Sequence, residues 1–250
     1  MISNITFSMI TIIFFAVFLA YIVFGITGFG TSLIASPILI YFLPLSMIIP
    51  ILALLDLTAS YKLIKGNFKK ANKEIILRLL PMIFIGSLLG GVALLTIDVF
   101  TLMLLLAVFI ILYSLYSFFK INVKYKSCKK SIVYIFGLIG GALGTLFGSG
   151  GFIYAIFLSN NLIDKTQIRT NQSCLIAFST LTRATIFLFS GIYFNFNVLF
   201  LAILLVPSML FGILIGNKIH SLIPVSTFKI LINLLVLISG SILLIHCLNM

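Results

Sequence analysis

The sequence predicts an all-α, polytopic membrane protein made of two related halves. Three observations predict it. Hydrophobic residues make up 62% of the chain and charged residues 8%, where a soluble domain carries roughly a quarter charged residues. Met1 to Leu55 contains no Asp, Glu, Lys or Arg; as one straight helix it would be about 80 Å long against a hydrocarbon core of about 30 Å, so it must cross more than once. The motif Phe24-Gly25-Ile26-Thr27-Gly28-Phe29 returns without gaps as Phe147-Gly148-Ser149-Gly150-Gly151-Phe152. The alternating ten-residue segments of a β-barrel are absent.

The first half, residues 5–119, divides into segments 5–24, 31–43, 46–64, 75–95 and 99–119. Phe7–Phe24 lacks a basic n-region and a small-residue cleavage site, and reads as a retained helix rather than a signal peptide. Segment 31–43 is short for a crossing and starts at glycine-rich sequence. Val99–Phe119 is uncharged and long enough to span. The second half, residues 131–248, divides into 131–147, 150–163, 168–190, 196–217 and 227–248, and segment 150–163 is again short and glycine-led. Pro81, Gly86 and Gly90 match Pro207, Gly212 and Gly216 at one offset, and Ile97, Val99 and Thr101 match Ile223, Val225 and Thr227 at the same one. Five segments per half is odd, so the second half would enter from the opposite face, as in the inverted repeats of many secondary transporters. The whole chain, 1–250, is then one transporter domain.

The net charge of +12 would elsewhere suggest nucleic acid. Here the bases lie in short loops between apolar spans, and topology accounts for them. They cluster at 62–78, 120–130, 165–169 and 218–229, with Arg183 apart. If both short segments cross, all four clusters share one side, and the opposite loops near Pro44, Asp98 and Asn195 carry no Lys or Arg. That ten-segment arrangement satisfies the positive-inside rule, with loops 65–73 and 120–130 cytoplasmic. An eight-span arrangement with two re-entrant pieces is the alternative and would put Lys165 and Arg169 outside. Cys128, Cys174 and Cys247 form no CxxC pair, so neither a disulfide framework nor a metal site is expected.

Glycine falls into two kinds. Gly137 and Gly141, and Gly140, Gly144 and Gly148, are four apart and make small-residue ridges for close helix packing. Gly86, Gly90, Gly212 and Gly216 read the same way. The tighter clusters Gly25, Gly28, Gly30 and Gly148, Ser149, Gly150, Gly151 favour unwound chain. Unwound backbone in a membrane must be buried in protein or line a cavity. The helix that follows would aim free N–H groups and a positive dipole end there, a ready anion site. A tight helical hairpin is the structural alternative.

At these residues the chain resembles the TauE/SafE family of sulfite exporters, also called the toluene-sulfonate uptake permease family. The resemblance rests on "FGITGFGTSLIASPIL" and "LFGSGGFIYAIFL", and on the late "GSLLGG" and "GILIGNKI", and runs over nearly the whole chain. It implies a cytoplasmic-membrane permease for sulfite, sulfonates or related sulfur anions. Ser149 interrupts the second glycine run, and Asn160 stands opposite Pro37, so the two half-sites are not expected to be equivalent.

Two charges fall inside apolar segments, Asp56 in 46–64 and Arg183 in 168–190. An ionisable residue at that depth is costly and marks function by default. The planar donor fork of Arg183 suits a sulfite or sulfonate, and Asp56 could carry a coupling proton. A buried Asp56–Arg183 structural pair is the competing expectation. Gln172, Ser179 and Arg183 are seven and four apart and share a helix face. Glu74 and Arg78 are expected to pair on the surface. His220 and His246 receive no role.

No nucleotide-binding GxxxxGK[ST] occurs, Ser149 lacks a GxSG context, and Asp56 and Asp98 make no intramembrane dyad. An enzyme is not expected, nor a cofactor. The expected partners are the bilayer and a small anion, with no nucleic acid, and with self-association left open. A channel-like anion pathway and a non-transporting assembly or lipid-handling protein are the competing classes.

Overall fold

The computed structural model describes residues 7–39, 41–96, 130–147 and 150–248, with single positions between 104 and 115. The span expected at 99–119, the loop before Lys130, and Gly148 and Ser149 lie outside the described residues. What is described is helical, with no strand among it.

Among the described residues nine α-helices follow in order: α1 (Phe7–Thr27), α2 (Thr31–Leu39), α3 (Leu45–Lys65), α4 (Lys73–Thr96), α5 (Lys130–Phe147), α6 (Gly151–Asn161), α7 (Lys165–Phe189), α8 (Phe196–Leu222) and α9 (Val225–Leu248). Within α1, α3, α7 and α8, the stretches Ser8–Thr27, Ser46–Lys65, Lys165–Phe189 and Phe196–Leu222 are long and apolar enough to cross a bilayer. The protein is a polytopic α-helical membrane protein. Asp164 caps α7, accepting from the N–H groups of Thr166 and Gln167, and Asn195 caps α8 through Asn197. The belt of Phe15, Leu19, Leu88, Phe200, Ile203 and Phe211 is exposed, as lipid as solvent allows.

The helices pair as glycine permits. Gly86 of α4 sits on the Leu138 backbone of α5, and Gly90 on Ala142, where an added Cβ would lie 2.6 Å from the carbonyl oxygen. Gly137 and Gly141 return the contact onto Leu79 and Ile83. The contacts advance together along both chains, so α4 and α5 run parallel. In α8, Gly212 packs on Phe18 and Gly216 on Ile22 and Gly25 of α1, again parallel. The glycine ridges expected from spacing are therefore packing faces. Further contacts join α1 to α2, α2 to α3, α5 to α6, α6 to α7, α3 to α8, α4 to α7, and α3 to α7. Exchanging α1–α4 for α5–α8 maps these larger contacts onto one another, while the smaller contacts of α7 with α5 and with α1 have no counterpart of similar extent.

The short segments are helices of 9 and 11 residues, about 14 and 17 Å long, roughly half the hydrocarbon core. Neither crosses alone. Segment 31–43 leaves the helix at Leu39 and turns before α3. Asn72 N–H donates to Asn171 Oδ1 at 3.0 Å, and Lys165 Nζ donates to the carbonyl of His220 at 2.7 Å. These bonds gather the bases of 62–73, 165–169 and 218 at one end of the bundle, called here the basic end. The 3₁₀ turn Ile192–Phe194 is at the other end, where Tyr193 donates to the Pro50 carbonyl near the start of α3 at 3.2 Å. So α2 runs from mid-depth to the end opposite the bases, and α6 from mid-depth to the basic end. The half-helix α2 finishes a crossing that the unwound residues 28–30 before it begin.

A methyl group on Gly141 would run into the Ile83 carbonyl, whereas one on Gly66 meets nothing within 4 Å. Gly141→Ala is expected to lower the folded stability by about 1–3 kcal/mol. Gly66→Ala is expected to leave it unchanged or higher, and thermal unfolding of the two variants in detergent checks the contrast.

Candidate functional site

α1 gives way to unwound chain because glycine allows backbone that other residues avoid. α1 stops at Thr27; Gly28 and Gly30 have φ of 82° and 100°, in the left-handed region. Thr27 Oγ1 donates to the Val23 carbonyl at 2.8 Å and ties down the last turn. The reversal turns the chain so that α2 starts at Thr31, deep in the protein. In the other half α5 ends at Phe147 and α6 begins at Gly151. A Cβ on Gly151 would come within 3.0 Å of both Phe29 and Ile176, so this start too is closely held.

The two starts meet. A small cavity of about 30 Å³ is lined by Phe29, Gly30, Thr31, Ser32 and Leu33 from the first half-helix and by Gly150, Gly151 and Tyr154 from the second. Asp56 of α3, Gly144 of α5 and Ile176, Ser179, Thr180 and Arg183 of α7 complete the wall. Both half-helices therefore begin at one cavity, with positive dipole ends and first-turn N–H groups that have no acceptor inside the helix.

Asp56 and Arg183 face the same space, yet they do not form an ion pair within 4.0 Å. Among the described residues the pair at that distance is Glu74–Arg78, the surface pair the spacing predicts. Asp56 is held instead by hydroxyls: Tyr21 of α1 donates to Oδ1 at 2.8 Å and Thr31 of α2 to Oδ2 at 3.1 Å. The carboxylate thus joins three helices. Arg183, 6% exposed, donates from Nη1 to the Gly144 carbonyl at 3.3 Å, and its Nε has no partner. A charge removed from water without full pairing is costly, so the guanidinium retains capacity to bind an anion.

The remaining candidates separate. Ser179 lies on the cavity wall with Arg183, one turn away. Gln172 is one layer further, where Nε2 donates to the Gly151 carbonyl at 2.5 Å and Oε1 is buried without a partner. Gly25 is not at the cavity; it packs on Gly216. Gly28 abuts Arg169 and Ser173. Gly30, Gly150 and Gly151 do line the cavity, while Gly148 and Ser149 are outside the described residues.

Sequence reasoning missed Tyr21 and Thr31, the partners of Asp56. It also counted Arg169 among the loop bases, but its side chain is 3% exposed. Its Nη1 donates to the Gly25 carbonyl at 2.8 Å and to Asn217 Oδ1 at 2.9 Å. His220, given no role, is buried with Nδ1 at 2.9 Å from the Ile26 carbonyl. Among the described residues no cluster of His, Cys, Asp or Glu has the make-up of a metal site.

The sequence pattern of a family described as sulfite exporter TauE/SafE matches residues 13–243. No curated protein and no solved structure matches the chain.

Each hydroxyl on Asp56 is a hydrogen bond to a charged group, worth about 1.5–3 kcal/mol. Thr31→Val and Tyr21→Phe should each lower the unfolding free energy in detergent by an amount in that range. In an Asp56→Asn background the same changes should cost clearly less, and a double-mutant cycle measures the difference.

Proposed function

The chain belongs to the sulfite exporter TauE/SafE family, and on that premise we propose that it carries sulfite or a similarly small sulfur oxyanion through the cavity at Arg183. The family makes it a membrane transporter of the anion-exporter type, with several passes through the bilayer. The substrate and the route are our reading. The observation that carries it is the incompletely paired Arg183 guanidinium in a cavity where two half-helices begin.

The chemistry fits an oxyanion. A guanidinium offers a planar fork of donors to two oxygens at once. The N-termini of α2 and α6 approach from opposite directions, and Ser179 and Thr180 add hydroxyls. An anion placed there meets donors on every side and replaces its water shell with fixed dipoles. Glycine at 30, 150 and 151 keeps side chains from filling the approach.

We read residues 5–119 and 131–248 as inverted repeats within one transporter domain. The exchange symmetry of the helix contacts supports this, as do the repeated glycine and proline positions. Alternating access would then be a rocking of one half against the other about the cavity. We read the pathway as that of a carrier rather than a channel, in keeping with an exporter family. The basic end lies in the cytoplasm on this reading, and the membrane is the cytoplasmic or inner one. The partners are the bilayer and the anion, with no cofactor.

Asp56 is the coupling group in this scheme. It faces the cavity beside Arg183 and is tied to α1 and α2 through Tyr21 and Thr31. A proton arriving on Asp56 would weaken both hydroxyl bonds to it and strengthen the field of Arg183 on the anion. Proton and anion would then bind together and leave together.

Sulfite flux in proteoliposomes tests the site. Arg183→Gln should lower sulfite affinity by tenfold or more, the loss of a charge-assisted bond, with Arg183→Lys between it and wild type. Flux equal to wild type in a folded Arg183→Gln protein would remove Arg183 from the route. Asp56→Asn should keep sulfite exchange but lose acceleration by an imposed pH gradient; a retained response would take coupling away from Asp56.

A further inference from the structure

One side of α7 reads Arg169, Ser173, Ile176, Thr180 and Arg183, spaced four, three, four and three, and every one of these side chains is buried. Such spacing puts them in a single row. The row begins and ends with a guanidinium. Arg183 marks the cavity, and Arg169 marks the basic end, about 21 Å further along the helix.

The Arg169 end is closed, and the closure is unusual in its partners. α1 stops at Thr27, so the Gly25 carbonyl has no helical N–H to accept from. It accepts from Arg169 Nη1, which also donates to Asn217 Oδ1 on α8. One buried cation thereby fastens the end of α1 to α7 and α8, and does so without a carboxylate. His220 Nδ1 at the Ile26 carbonyl is a second tie between the same helices. The glycine reversal lies between the two guanidinium groups. Phe29 forms part of the cavity wall, and Gly28 lies so close to α7 that an added Cβ would be 3.0 Å from the Arg169 carbonyl and 3.1 Å from Ser173 Oγ. The reversal therefore lies packed between the cavity and the basic end.

We propose that Arg169 is a second anion-binding residue, and that it latches the reversal at residues 28–30 as a gate which the anion itself releases. This rests on the reading of the cavity as the anion's site. A peptide carbonyl and an amide oxygen are neutral acceptors, and a charged oxyanion is the stronger partner for a guanidinium. An anion that reaches Arg169 takes over its bonds to Gly25 and Asn217 and frees the end of α1. A carboxylate in their place would hold the gate shut against the anion. The neutral partners make the closure firm when the path is empty and yielding when it is loaded.

The test uses Ser173→Cys in a protein whose Cys128, Cys174 and Cys247 are serine, reconstituted in liposomes. A membrane-impermeant thiol reagent is applied at the basic end. Residue 173 lies behind the reversal and should react slowly. Asn217→Ala removes one of the two acceptors and should raise the rate roughly tenfold without any anion. Saturating sulfite should raise it in the protein that keeps Asn217. Arg169→Lys keeps the charge without the fork, and should lose the response to sulfite while sulfite still raises the thermal stability through Arg183. A labelling rate indifferent to Asn217→Ala in a folded protein overturns the latch. Sulfite that stabilises the protein but leaves labelling unchanged overturns the anion's part in releasing it. Sulfite that neither stabilises nor alters labelling overturns the underlying reading of the cavity, whatever Asn217→Ala does.

Discussion

A helix that stops inside a bilayer leaves backbone donors and acceptors where no water can meet them, at several kcal/mol for each group left alone. Among the described residues, α1 stops in this way at Thr27 and α5 at Phe147. The rest of the arrangement answers that constraint. The orphan carbonyls of α1 are met by Arg169 and His220. The opening turn of α6 is held by Gln172 through the Gly151 carbonyl. Because both half-helices must start inside protein, they start together, and the cavity is the place where their starts face one another. Charged side chains then become affordable at mid-depth, since they serve backbone or share the cavity rather than facing lipid.

The glycines supply the closeness this needs. Where Gly212 and Gly216 meet α1, and where Gly86 and Gly90 meet α5, backbone rests on backbone. Such approach excludes lipid from the centre without bulky apolar side chains. It also leaves α3 and α7, the helices of Asp56 and Arg183, side by side along their length. The two half-sites differ in content. The first contributes a carboxylate wrapped in hydroxyls; the second contributes a guanidinium with a carbonyl and an unpartnered Nε.

Much of this was legible in the sequence where one residue type stands out from its surroundings. Asp56 and Arg183 are conspicuous in apolar runs, and the glycine clusters mark the breaks. Spacing also identified the packing ridges, because four-residue intervals of glycine have one use on a helix face. Legibility failed where a residue resembles its neighbours. Tyr21 lies in an apolar helix and reads as core, and only the fold brings its hydroxyl to Asp56 across 35 residues. Arg169 lies four residues from Lys165, and a count of bases cannot distinguish a buried guanidinium from a solvated ammonium. Gly25 shares a motif with Gly28 and Gly30 but belongs to a helix crossing, since its place is decided by Gly216 far along the chain.

The parallel contacts carry a consequence for how the molecule is made. α1 packs on α8, whose first residue, Phe196, follows the end of α1 at Thr27 by 169 positions. α4 packs on α5, across the junction of the halves. Neither half therefore completes its own interior. During synthesis α1 enters the bilayer long before its partner is translated, with the groove around Gly25 facing lipid or an insertion factor. The first half is a docking platform until the second arrives. Two separately produced fragments, cut between α4 and α5, would each hold surfaces that only the other can cover. The central cavity, lined from both halves, is thus complete only once the second half is in place.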